Sequence, residues 1–187
     1  MTKETRGRLG RILAEAAMIV FAVLVALAFE EWREERQMID FAARARTSVE
    51  AELSANLEAL EETRPRLLEV DSILAAVLES EDLTVLDGNI DLTLPDLSDA
   101  AWEVARGSRA APYFDFDWVL RTARAYEVLD VYSGASQNAI TAMSGIIGRT
   151  PTLEHVAAIY GWLVIVNDIH RQAIERLRSN LAEAEEG

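Results

Sequence analysis

Residues 11–36 read RILAEAAMIVFAVLVALAFEEWREER, and the reading of this stretch decides the fold. Residues 16–29 carry no charge, and residues 12–14 extend the run to eighteen with only Glu15 inside it. At about 1.5 Å per residue this helix would cover roughly 27 Å, close to a hydrocarbon core of ~30 Å. The run is apolar on every side, so it has no polar face to offer water. Glu15 lies one turn inside the basic end, where a carboxyl can reach headgroups or a neighbouring helix. Trp32 follows the other end, where an indole suits the interface.

Three readings compete: a retained anchor, a cleaved export signal and a buried helix of a soluble domain. The basic start and the small-x-small triplet Ala26-Leu27-Ala28 support a signal. Against it, no Gly or Pro breaks the helix before the cut, and EEWREERQ continues it with good helix formers. A soluble core helix would need polar positions that the run lacks. The anchor is the reading carried forward, over residues 12–30, behind a short basic tail of residues 1–11.

Orientation rests on Lys3, Arg6, Arg8 and Arg11 before the run against Arg33 and Arg36 close after it. The positive-inside tendency then places the tail in the cytoplasm and residues 31–187 outside the cytoplasmic (inner) membrane. Counting further, to Arg44 and Arg46, removes the bias. Ala22 and Ala26 form a small-xxx-small pair that lets another helix approach, although alanine is common enough here for coincidence.

From Glu30 onward the chain holds 14 Arg, no Lys and 30 Asp or Glu, a net of −16. Such a body lacks the positive surface that nucleic-acid binding requires, so no nucleic-acid partner is expected. It is equally unsuited to lying flat on anionic lipid. The absence of Cys excludes disulfides, thiolate metal sites, Fe–S clusters and covalent c-type haem.

Beyond the anchor the chain reads as all-α: a long stalk helix over residues 31–80, an acidic connector over 81–97, and antiparallel bundle helices over 98–187. Leu53, Leu57, Leu60, Leu67, Leu74 and Leu78 fall on a seven-residue a/d pattern with Arg64 and Asp71 in two of its slots. This seam can pack within the domain or zip onto a second copy, so a homo-oligomer is one outcome. Pro65 should kink or restart the helix, with Thr63 as a cap. Asp87-Gly88 between short apolar runs signals a short β-hairpin near 83–94. A calcium loop at the same place fails on spacing, because its first, third and twelfth positions would be Leu83, Val85 and Leu94.

SDAAWEVARGS reads as a short helix capped by Ser98 or Asp99, stopped at Gly107 and pinned by Trp102. Asp115 can cap a helix whose apolar positions are Phe116, Val119, Leu120, Ala123, Tyr126 and Leu129, weakening at Ser133-Gly134 and resuming through Ile140, Met143 and Ile147. Thr150-Pro151 opens the last helix, with its a/d series at Val156, Ile159, Leu163, Val166, His170, Ala173 and Leu177. Residues 156–166 lack charge and read as buried on most sides.

Chemistry is marked by absences. His155 and His170 are about 22 Å apart on one helix and cannot share a metal. His170 occupies a seam position, where a hydrogen-bonded core histidine is the plain reading and a buried switch or haem ligand the sharper one. No phosphate loop, dinucleotide fingerprint or nucleophile elbow occurs. Tyr113, Phe114, Phe116 and Trp118 bunch at a helix start, as a pocket lining or as core. No catalytic residue, metal or cofactor is expected.

The order of a basic tail, an anchor containing a glutamate, EEWREERQ, a Leu-rich helix, SDAAWEVARGS and DFDWVLRTARAYEVL resembles a loose family of small bacterial membrane proteins. These have one N-terminal anchor and a helical extracytoplasmic domain. The resemblance implies that architecture and no catalytic residues. The leading functional expectation is a non-enzymatic, single-pass scaffold or accessory subunit. It would contact the lipid bilayer and other integral membrane proteins through Glu15, Ala22, Ala26 and Trp32, with Leu53, Leu57, Leu60 and His170 as a second seam. The alternative is an extracytoplasmic ligand-binding sensor bundle that acts through a membrane partner.

Overall fold

The computed structural model describes the backbone at residues 3–86, 93–144 and 151–185, with side chains over the same ranges from Glu15 to Ala184. Four α-helices carry the fold: α1 (Lys3–Ser80), α2 (Ala100–Gly107), α3 (Phe116–Ser144) and α4 (Leu153–Glu185). Two 3₁₀ turns, Leu83–Leu86 and Ala111–Tyr113, lie between them. The protein is all-α, and no strand occurs among the described residues.

α4 is the middle layer, packed on α1 on one side and α3 on the other. Its direction follows from its partners. Asn167 meets Asp71, His170 meets Thr63 and Arg178 meets Glu61, so α4 climbs as α1 descends. Arg121 pairs with Glu183 at 3.2 Å, which sets α3 antiparallel to α4 as well. The a/d series of α4 is buried throughout, from Val156 to Leu177. It meets Val49, Leu53, Leu60, Leu67, Val70, Leu74 and Val77 of α1 in one apolar core. Each such side chain contributes roughly 1.5–3 kcal/mol on leaving water.

Several expectations are corrected. The β-hairpin near 83–94 is absent where the chain is described: Leu83–Leu86 form a 3₁₀ turn, while residues 87–92 lie outside the described set. The turn forms because the Asp82 carboxylate accepts both the backbone N–H (2.9 Å) and hydroxyl (2.7 Å) of Thr84. Leu83, Leu86, Leu94 and Leu97 pack on the core, so the connector is tied down at both of its described ends.

Pro65 does not restart α1, which runs on as one helix to Ser80. Thr63 is no cap; its hydroxyl bonds back to the Ala59 and Leu60 carbonyls at 3.0 and 3.1 Å. α3 also continues through Gly134. α4 is capped by Thr152, whose hydroxyl accepts the His155 N–H, and Pro151 precedes that cap instead of opening the helix. Ala157, Ala158, Gly161, Val164 and Ile165 are exposed, so residues 156–166 bury one face only.

The stalk is packed over most of its length. Ala42 is the first buried residue of the stalk, and below it the exposed Arg109 guanidinium comes within 3.8 Å of Glu34.

Candidate functional site

α1 carries the apolar run out of the bundle, and among the described residues no other element lies against it. Met18, Ile19, Val20, Phe21, Val23, Leu24, Val25, Leu27 and Phe29 are each more than half exposed. These positions surround the helix, so the exposure has no protected side. Glu15, Ala22 and Ala26 are exposed with them, and no described residue of another element covers the Ala22/Ala26 face. Lys3, Arg6, Arg8 and Arg11 lie on α1, with side chains outside the described set.

Among the described residues no helix is long and apolar enough to cross a membrane. The described part of the run is the fourteen residues between Glu15 and Glu30, about 21 Å of helix. Residues 12–14, which lengthen it in the sequence, are among those whose side chains are not described.

A girdle of aromatic and charged groups ends the run. Trp32 lies 5.7 Å from Phe29, centroid to centroid, and the Arg36 guanidinium sits 5.6 Å above the indole. Arg33 is paired with Glu30 at 2.7 Å. On the next face, Glu31, Glu34, Glu35 and Met38 repeat at helical spacing and form a cleft of about 510 Å³ with Arg109 and Tyr113.

The bundle is locked to α1 by a clamp that sequence reasoning missed. Glu52 Oε2 accepts the Ala101 N–H at 2.9 Å and the Ser98 hydroxyl at 2.7 Å. Its Oε1 accepts the Tyr126 hydroxyl at 2.5 Å and the Trp102 N–H at 3.4 Å. One turn on, the Asn56 amide donates to the Ser98 carbonyl (2.7 Å) and accepts its N–H (2.9 Å). Glu52 thus caps α2 from another helix, while Asp99, at the cap position, makes no side-chain cap bond. Burial pushes the Glu52 carboxyl up, but hydrogen bonds from Ala101, Tyr126, Ser98 and Trp102 outweigh it and hold the group below its usual value. The spacing of Glu52 and Asn56, four apart beside the leucine seam, was the available signal.

The seam residues are enclosed within the chain. Leu53 and Leu60 are fully buried and Leu57 is half-buried. His170 is buried with its Nε2 3.5 Å from Thr63 Oγ1 and its ring 5.4 Å from that of Tyr132. Desolvation, aided by Arg64, lowers its pKa against an opposing pull from the Leu60 carbonyl. His155 is half-buried in the first turn of α4. The aromatic group divides: Trp118 is buried and Phe114 packs 5.0 Å from it, whereas Tyr113 and Phe116 point out. Trp102 stacks on Tyr126 at 5.6 Å.

Two open grooves flank α4. One, of about 630 Å³, runs between α3 and α4 past Arg124, Val131 and Ile169; the other, about 270 Å³, lies beside Arg64 and His170. No group of three or more metal-ligating side chains converges among the described residues.

No family model, curated protein or solved structure matches the chain.

Proposed function

We propose that the protein is a non-enzymatic, single-pass accessory subunit of the cytoplasmic membrane. Residues 12–30 cross the bilayer with the basic tail in the cytoplasm and the acidic bundle outside it, and the anchor and stalk of α1 dock to other integral membrane proteins. One observation carries this reading: α1 buries one face against the bundle from Ala42 onward, yet exposes large apolar side chains all round over residues 18–29. Exposed apolar surface on every side of a helix matches lipid, because a protein groove would need only one face. Trp32 and Arg36 at its end match an interfacial girdle.

The test is extraction and purification. Alkaline carbonate should leave the full chain in the membrane pellet, and mild detergent should bring it out in stoichiometric complex with other membrane proteins. Release by carbonate overturns the anchor; migration as a lone monomer overturns the subunit role. A reporter fused after Gly187 that is active in the cytoplasm overturns the orientation.

The second reading, a ligand-binding sensor bundle, draws on the groove between α3 and α4. A ligand that raises the thermal midpoint of the chain and is lost on Val131→Asp would favour it.

A further inference from the structure

The cleft at the foot of the bundle combines opposite charges in an order that fits one ligand class. Its wall on α1 is Glu31, Glu34, Glu35 and Met38, and its opposite wall is Arg109 and Tyr113 from the loop after α2. Arg109 is 3.8 Å from Glu34, too long for a tight ion pair, and its side chain is 88% exposed. Arg33 is engaged by Glu30 and Arg36 by the Trp32 ring, so Arg109 is the cation that the described residues bring to these three carboxylates.

The height of the cleft decides what it meets. Glu31 stands two residues, and Met38 nine, beyond Phe29, the last residue of the apolar run. At about 1.5 Å per residue the cleft spans roughly 3–14 Å past the hydrocarbon edge. The headgroup layer occupies about 5–8 Å on each side of a bilayer. The end of the cleft at Glu31 and Glu34 therefore opens at headgroup level, while Met38 stands beyond it, a placement that rests on the anchor reading above.

We propose that this cleft binds the headgroup of a zwitterionic phospholipid. Arg109 takes the phosphodiester, because a guanidinium matches phosphate oxygens in a two-toothed geometry. The lipid's terminal ammonium lies among Glu31, Glu34 and Glu35, and Tyr113 presents its ring and hydroxyl at the interface. An anionic lipid would satisfy Arg109 and leave the three carboxylates facing further negative charge, so it is disfavoured. The bound headgroup would tie the foot of the bundle to the bilayer and fix the angle at which α1 leaves it.

The chain has no Cys, which makes site labelling clean. The full chain, carrying an environment-sensitive dye at Pro112→Cys or Val23→Cys, is reconstituted in phosphatidylethanolamine/phosphatidylcholine vesicles or in vesicles rich in phosphatidylglycerol. Headgroup-level spin labels should quench the dye at 112 in the zwitterionic vesicles, and mid-bilayer labels should quench the dye at 23. Arg109→Ala, at a side chain that supports no core, should weaken the 112 quenching, and native mass spectrometry should show about tenfold less retained phosphatidylethanolamine, the equivalent of one charge-assisted contact. Quenching at 23 without quenching at 112, or equal retention of phosphatidylglycerol, overturns the headgroup site and leaves the anchor standing. Absence of mid-bilayer quenching at 23 overturns the anchor and the site together.

Discussion

The carboxylate of Glu52 accepts the hydroxyl of Tyr126 at 2.5 Å, joining α1 to α3 across seventy-four residues of chain. The same carboxylate caps α2, so three helices converge on one side chain. Glu52→Ala should lower stability by about 2–3 kcal/mol, since it removes charge-assisted bonds and leaves the Tyr126 hydroxyl and the α2 N–H groups without their partner. Glu52→Gln keeps the shape and loses the charge, and about half that effect is expected. Urea unfolding of the full chain in detergent, followed by tryptophan fluorescence, checks both. An unchanged midpoint for Glu52→Ala would show that the clamp does not hold the helices.

Acid sensitivity should come in two steps. His170 has a folded pKa below its ordinary 6.5. Below 6.5 the unfolded chain binds a proton that the folded chain resists, so stability falls as pH drops through that value. Glu52 acts lower down: its folded pKa lies below 4.5, so its contribution is present above 4.5 and disappears as pH falls through the folded value. His170→Leu should flatten the urea midpoint between about pH 7 and pH 5 while leaving the steeper loss at lower pH. A parallel shift of the whole curve would mean that His170 acts through packing alone.

α1 ends at Ser80, and Glu81 follows with φ at +57°, a left-handed residue where glycine is the usual solution. The side chain is exposed, so the conformational cost has no packing return. Glu81→Gly relieves a cost of about 1–2 kcal/mol and adds unfolded-state entropy of about half that. A net gain of roughly 0.5–1 kcal/mol is expected, read as a higher thermal midpoint. A lower midpoint would show that Glu81 makes a contact stronger than its strain.

The parts of the fold that could be read in advance were those where one period persists. In α4 every seventh-residue slot from Val156 to Leu177 is buried, and in α1 Leu53, Leu60, Leu67 and Leu74 are buried on the same logic. What escaped was what depends on the partner. Pro65 reads as a break, yet packing of α1 on both sides of it keeps the helix continuous. Residues 156–166 look buried all round because Val164 and Ile165 are apolar, and only the arrangement of α1 and α3 shows which face is left outside. Glu52 reads as one carboxylate among thirty in an acidic body, and only the approach of Ala101 and Tyr126 makes it a cap. The cleft at Glu34 was hidden for the same reason, since Arg109 comes from seventy-five residues away.

The exposed face at Ala22 and Ala26 gives the subunit proposal a direct test. Small side chains four apart let two helix backbones approach within a bilayer, where association comes from close packing and not from leaving water. Ala22→Leu with Ala26→Leu keeps the run apolar and long, so insertion should be unchanged. Closer approach is blocked, and the fraction that co-purifies with membrane partners should fall about tenfold, equivalent to some 1.4 kcal/mol of lost contact. Glu15→Gln tests the other end of the same helix, where a carboxyl near the headgroups can bond to a neighbour. Equal recovery of partners with the double variant, alongside unchanged membrane retention, would move the docking surface off this helix and onto the bundle.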